Sequence, residues 1–117
     1  MFQFYSNGER SGEYAKRARF PFIDYTPQWA QRAGFYSTPV DMIEGPPGQS
    51  LEVQSIRVSA LLCSEIHRQD LARADALTAP VIISAGSEAI FVDDVASQFS
   101  LKAAQFRAAE NDIHVVR

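Results

Sequence analysis

The chain has 117 residues, of which 46% are apolar and 21% are charged, and its formal net charge is -3. This length is typical of one domain, which predicts a single core that folds without metal or disulfide help. One cysteine cannot form an intrachain disulfide, no secretory signal opens the chain, and no apolar run approaches the roughly 20 residues of a membrane helix. We therefore expect a cytoplasmic protein that makes no membrane contact.

Residues 1–49 are predicted to form an extended arm that is rich in loops, aromatic side chains and proline. Two clusters of turn-forming residues, "SNGERSG" and "EGPPGQS", interrupt this region. A short strand is expected in "FQFY", and a short helix in "TPQWAQRAG", where Thr26 is the expected N-cap and Gly34 the expected stop. Residues 50–117 are predicted to form the globular core of what is one domain overall.

The segment after residue 50 has apolar residues at steps of mostly three and four, which predicts a central helix. The residues that carry this pattern are Val53, Ile56, Ala60, Cys63, Ile66 and Leu71. One unbroken helix would be about 40 Å long, too long for a domain of this size. We therefore expect a break between Arg68 and Asp70, with Asp70 capping a second short helix.

The following segment, "APVIISAGSEAIFVDD", predicts a β-hairpin with its turn at Gly86 and Ser87. Two short helices are expected within residues 93–111, and "DIHVVR" is a possible last strand. The predicted fold class is thus α+β, with a loop-rich aromatic N-terminal arm, a central helix, a small antiparallel sheet and a C-terminal helix pair.

Residues 93–111 resemble a helix-turn-helix segment. Ala96 supplies the small residue of a first helix, and Ser100 lies at the turn, where glycine is usual. Apolar residues fill the expected core positions at Val95, Phe99, Leu101, Phe106 and Ala109. The resemblance implies a DNA-binding regulator, with Lys102, Arg107 and Asn111 at the groove and Arg17 or Arg19 on phosphates. Residues 91–117 carry only three basic against four acidic side chains, a balance that favours contact with protein over DNA.

Cys63 and His67 are four residues apart and would share one face of the predicted helix. An imidazole in that position can activate a thiol. Cys63 also lies on the apolar stripe, however, so a buried core cysteine with a histidine at the boundary is the favoured interpretation. The sequence has no HExxH, paired-cysteine, P-loop or G-x-G-x-x-G pattern. We therefore predict no metal, no cofactor and no enzymatic activity.

The aromatic residues of the arm carry the preferred functional hypothesis. Aromatic side chains supply large contact areas at low entropic cost. The chain is accordingly predicted to be a small non-enzymatic protein-binding module, a subunit or inhibitor within a larger assembly, whose partner is a protein or a second copy of the chain. The expected contact residues are Phe22, Tyr25, Trp29 and Phe35. The alternatives are the DNA-binding regulator, which keeps a nucleic-acid partner possible, and a small enzyme without a recognisable motif.

Overall fold

The structure is a computed structural model that describes residues 2–6, 8–35, 38–87 and 94–117. Within these residues the chain forms six strands, three α-helices and one 3₁₀ helix. In chain order they are β1 Phe2–Ser6, β2 Glu9–Tyr14, α1 Gln28–Arg32, β3 Leu51–Val53, β4 Ile56–Leu62, the 3₁₀ helix Cys63–His67, α2 Gln69–Ala76, β5 Val81–Ala85, α3 Val95–Asn111 and β6 His114–Val116.

The main sheet has four strands in the order β3-β4-β5-β6. The β4–β5 and β5–β6 pairs are parallel, and only β3 pairs antiparallel with β4. The predicted α+β class is confirmed, but the sheet is mixed instead of antiparallel. The reason lies in the connections, because helical segments link β4 to β5 and β5 to β6, and such crossovers return the chain in the same direction.

The predicted central helix is wrong over residues 51–62, which form β3 and β4. All five residues from Val58 to Leu62 are buried, as is typical of a strand covered on both faces. A tight turn joins the two strands through Gln54 and Ser55, both at positive φ, as a two-residue hairpin requires. The second short helix is confirmed as α2, although the Asp70 side chain pairs with Arg68 and does not cap the helix.

The predicted C-terminal helix pair is a single helix, α3, which passes through Ser100 without a break. It ends at Asn111, and the next residue, Asp112, has a left-handed φ of 52°. The strand predicted at residues 81–83 is confirmed as β5, and the one predicted within residues 112–117 is confirmed as β6. β5 lies between β4 and β6, and the return strand predicted for the hairpin, at residues 89–92, lies outside the described residues.

The arm has more regular structure than predicted. β1 and β2 form a separate antiparallel hairpin, and the helix expected around Trp29 is confirmed as α1. Thr26 does not cap that helix, since its hydroxyl accepts a hydrogen bond from the Thr38 backbone N–H at 2.7 Å.

The core has a part on each face of the sheet. One face carries Leu61 and Ile82 and is covered by the 3₁₀ helix, α2 and α3, which contribute Ile66, Ala72 and Ala104. On the opposite face Tyr14 packs against Ala60 and Leu62. In the part of the chain that the structure describes, no helix is both long and apolar enough to cross a bilayer.

Candidate functional site

The parallel strands bring three residues to one edge of the sheet. Cys63 follows β4, Gly86 follows β5 and Arg117 follows β6, and all three line one cleft. Parallel strands end at the same edge, and in open α/β sheets ligands bind outside these carboxyl ends. The cleft therefore occupies the position where this kind of sheet places a binding site.

Two helical elements form the sides of the cleft, which has a volume of about 160 Å³. The 3₁₀ helix contributes Ser64 and His67, and the first half of α3 contributes Ala96, Phe99 and Ser100. Ser87, which follows Gly86, completes the described lining. Apolar carbon atoms, hydroxyl groups, one thiol, the His67 ring and the Arg117 side chain thus line a small cleft that is open to solvent.

Cys63 occupies an unusual backbone position within this cleft. Its φ of 54° is left-handed, which is uncommon for a side chain other than glycine, asparagine or aspartate, and its thiol-bearing side chain is exposed. Gly86 permits this turn to approach β5, since a Cβ atom at Gly86 would lie 3.1 Å from the Cys63 Cα. The prediction of a buried core cysteine is therefore wrong.

Glu65, two residues after Cys63, holds the Cys63 turn in place through hydrogen bonds. Its side chain is fully buried and accepts hydrogen bonds from the backbone N–H groups of Leu62 at 2.8 Å, Arg17 at 2.5 Å and Ala18 at 2.8 Å. The Tyr14 hydroxyl donates a further hydrogen bond at 3.1 Å. Hydrogen bonds to a charged acceptor are stronger than neutral ones, so this carboxylate joins the Cys63 turn firmly to the end of β2.

A buried ion pair extends this anchor to α2. The Arg17 guanidinium donates two hydrogen bonds to Asp75, at 2.7 and 2.6 Å, and one to the Tyr14 hydroxyl at 2.8 Å. The Ser59 hydroxyl donates to Asp75 at 2.6 Å. Burial, the largest single influence, would lower the pKa of Arg17, but the hydrogen bonds and charges of Asp75 and Tyr14 together raise it. Burial, followed by the charge of Glu65, raises the pKa of Tyr14, so Tyr14 stays protonated as a donor.

His67 ends the same 3₁₀ helix as Cys63, and its ring stacks on Phe99 of α3, with ring centroids 5.0 Å apart and planes at 25°. Partial burial lowers the pKa of His67, and the charges of Arg117 and Arg107 lower it further. The imidazole is therefore neutral at neutral pH and retains a ring nitrogen that can accept a proton.

The structure brings together two of the four predicted protein-binding residues. Phe22 and Trp29 form an edge-to-face pair with centroids 5.9 Å apart. Trp29 is 62% exposed and Phe35 64% exposed, whereas the Tyr25 ring lies under the Arg19 guanidinium at 4.5 Å. Contact of these side chains with a protein stays a prediction.

The predicted nucleic-acid residues do not form one surface. Arg17 is buried in its pair with Asp75, which corrects its predicted role on phosphates. Arg19 ion-pairs with Asp41 and Glu44. On α3, side chains bond within the helix: Lys102 donates to Gln105, Arg107 ion-pairs with Glu110, and Asn111 donates to the Arg107 carbonyl. Duplex binding by α3 stays a prediction.

Sequence reasoning noticed Cys63 and His67 but placed them on a helix. The signal that it missed is the pair of apolar runs, "VSALL" and "PVII", separated by a helical segment. That alternation predicts parallel strands joined by a crossover, and Cys63 directly follows the first run. Within the described ranges no three metal-ligating side chains form a group that could hold an ion.

No protein-family model matches the chain. The chain is similar to proteins named apolipoprotein N-acyltransferase from three bacteria. It is 29% identical over 115 residues to that of Azotobacter vinelandii, and 27% identical over 115 residues to those of Pseudomonas paraeruginosa and Pseudomonas aeruginosa. Each match covers 94% of this chain but 22% of the relative, so the chain spans about a fifth of the length of the proteins it matches.

These matches overturn two predictions. The expectation that the chain is not an enzyme is contradicted, because all three relatives are named as acyltransferases. The expected partners, a protein or a second copy and no membrane, are contradicted as well. The relatives are named for an apolipoprotein and for acyl transfer, neither of which the expected partners include.

Proposed function

We propose that this chain carries the thiol nucleophile of an acyl-transfer site, with Cys63 as the attacking residue. The observation that carries the proposal is the position of Cys63. It is an exposed cysteine at positive φ, at the carboxyl end of a parallel strand, and it opens into the cleft. A strained turn between a strand and a helix is a known way to present a nucleophile. The similarity to proteins named N-acyltransferases supports the same reaction class.

The reaction has two steps that balance without a cofactor. The Cys63 sulfur attacks the carbonyl carbon of an acyl ester, a C–S bond forms, the ester C–O bond breaks, and the alcohol leaves with the thiol proton. An amine then attacks the thioester, the amide C–N bond forms, and the thiol is regenerated with a proton from the amine. Covalent catalysis of this type divides one difficult step into two easier ones.

The lining of the cleft suits this chemistry. Phe99 and Ala96 offer apolar surface to the first carbons of an acyl chain, and Ser64, Ser87 and Ser100 line the same cleft as Cys63. A cleft of about 160 Å³ is smaller than the roughly 300 Å³ of the smallest typical ligand pockets. We therefore propose that it holds the reacting end of the acyl group and leaves the rest of the chain outside.

Mass spectrometry of the 117-residue chain after incubation with p-nitrophenyl octanoate tests the proposal. We expect the mass of one octanoyl group, located on Cys63, removable by hydroxylamine, and transferred to an added primary amine with formation of the amide. Cys63→Ser is expected to lose the hydroxylamine-sensitive adduct, since the chain has no second cysteine. Ser64→Ala, a neighbour in the same cleft, is the matched control and is expected to react. The absence of a thioester on the wild-type chain would refute the proposal.

A further inference from the structure

Tyr14 lies at the centre of a buried hydrogen-bond network that ends at the Cys63 turn. Its side chain is 1% exposed, and its hydroxyl contacts two charged groups, those of Arg17 and Glu65. Because arginine can only donate, the hydroxyl accepts from Arg17 Nε at 2.8 Å. Its single proton is therefore donated to Glu65 Oε2, at 3.1 Å. The direction of both hydrogen bonds is thus fixed by the chemistry of the two partners.

One end of this network is fixed in α2. Asp75 accepts two hydrogen bonds from the Arg17 guanidinium, at 2.7 and 2.6 Å, and a third from the Ser59 hydroxyl at 2.6 Å. A planar guanidinium that is held by two such bonds has little freedom to rotate. The remaining Nε–H of Arg17 therefore points in a defined direction, and the Tyr14 hydroxyl lies there.

The other end of the network closes a ring over Cys63. Glu65 Oε2, the oxygen that meets the Tyr14 hydroxyl, also accepts the backbone N–H of Leu62 at 2.8 Å. Leu62 directly precedes Cys63, so this bond spans the residue whose φ is 54°. A left-handed residue of this kind persists only where its surroundings determine its conformation. The Tyr14 hydroxyl is one of those determinants, because it fixes the oxygen that holds Leu62.

We infer that Tyr14 is a positioning residue for the Cys63 nucleophile, an inference that rests on the proposed acyl transfer. Tyr14 packs on the face of the sheet opposite to the one that α3 covers, so it acts on the cleft through Glu65 and the turn. Acyl transfer needs the sulfur at about 3–3.5 Å from the ester carbon in a suitable orientation. Alkylation of an exposed thiol by a small soluble reagent has no bound ester to meet and does not need that precision.

Tyr14→Phe tests the inference, because it removes the hydroxyl and retains the ring that packs against Ala60 and Leu62. The burst of p-nitrophenolate from p-nitrophenyl octanoate is measured on the intact chain over a range of ester concentrations. We expect the maximal burst rate to fall about tenfold. The half-saturating ester concentration and the rate of iodoacetamide alkylation should stay within about twofold of the wild type. Tyr25→Phe is the matched control, since the Tyr25 ring lies under Arg19, and it should follow the wild type in all three measurements.

Amide hydrogen exchange, followed by NMR, gives a readout that does not depend on acyl transfer. The Leu62 N–H should exchange about fivefold faster in Tyr14→Phe, because its acceptor is held less firmly. The Ile82 N–H in β5 should exchange as in the wild type. Should Tyr14→Phe fail to fold, Arg17→Lys takes its place, since it keeps a cation for Asp75 and lacks the Nε donor; the same differences are expected.

The outcomes separate this inference from the proposed function. If the maximal burst rate of the folded variant equals that of the wild type, or if alkylation slows as much as acylation, the positioning role is wrong even where Cys63 forms a thioester. If the wild type forms no thioester, the proposed function fails and the Leu62 exchange rate decides alone. Faster exchange in the variant then supports the hold of Tyr14 on the turn, and equal exchange refutes it.

Discussion

Two neighbouring segments of the N-terminal region differ in which side chains they bury. Between Tyr14 and Arg17 the charged side chains are inside: Lys16 is 5% exposed and pairs with Asp24, and Arg17 is 9% exposed and pairs with Asp75. A few residues later the large apolar side chains are outside, among them Phe22 and Trp29. The usual burial of apolar and exposure of charged residues is therefore reversed over about 20 residues.

Residues 14–17 are therefore attached to the rest of the fold through buried charged side chains. A buried guanidinium is costly unless its partner and remaining donors are satisfied, and Arg17 meets that requirement with groups from β2, β4 and α2. The exposed aromatic side chains contribute little to attachment, because they leave much of their area in water. Stability in this region should therefore depend on the buried pair far more than on the aromatic side chains.

The largest expected effect is that of Asp75→Ala. It leaves the Arg17 charge buried without its bidentate partner and removes the acceptor of Ser59. We expect the free energy of unfolding in urea to fall by about 3–5 kcal/mol. Asp41→Ala removes an exposed partner of Arg19 and is expected to cost less than about 1 kcal/mol. If both substitutions lowered the free energy of unfolding by similar amounts, the pair between Arg17 and Asp75 would not be what attaches the N-terminal region.

This attachment could not have been predicted locally, because Arg17 and Asp75 are 58 residues apart in the chain. The arginine lies among cations and aromatic residues in "KRARFPF", a pattern equally typical of a solvent-exposed arm. Only the packing of β2 and α2 against β4 brings the two charges together. The burial of Arg17 thus follows from tertiary packing and cannot be predicted from its neighbours in the sequence.

The candidate site was missed for a related reason. Local signals were sufficient for α1, for the start of α2 and for the strands at β5 and β6. Residues 56–62 satisfy helical spacing and a buried strand equally well, and periodicity alone cannot separate the two. A helix over these residues would place Cys63 on its buried face. The strand that ends before Cys63 is fixed by parallel pairing with β5, which is a long-range contact.

A smaller effect is expected for Trp29→Ala, which tests the contribution of the exposed aromatic side chains to stability. Trp29 is 62% exposed and contacts Phe22 at its edge. We expect a loss of less than about 1 kcal/mol in urea unfolding, well below the cost of truncating a buried tryptophan. Trp29→Phe, which keeps an aromatic edge, is the matched variant and should be closer to the wild type. A loss comparable to that of Asp75→Ala would mean that the aromatic side chains also attach this region.

The smallest effect is expected for an exposed ion pair, which tests how strongly burial determines the contribution of an ion pair to stability. Hydrogen bonds from Arg68 hold the pKa of Asp70 at about 2, below its ordinary 3.8. A carboxyl group with a lowered folded-state pKa stabilises the protein above its unfolded-state pKa, and this contribution is lost as the pH falls through the folded-state value. Because the Asp70 side chain is 61% exposed, Asp70→Asn should cost less than about 1 kcal/mol at neutral pH.

The difference in thermal midpoint between wild type and Asp70→Asn should therefore stay constant from neutral pH down to about 4 and approach zero near pH 2. Arg68→Gln removes the partner, so in that background the Asp70 substitution should have almost no pH-dependent effect. A difference that grows as the pH falls would reverse the expected sign. It would then be wrong to treat this pair as a weaker, solvent-screened version of the bidentate contact between Arg17 and Asp75.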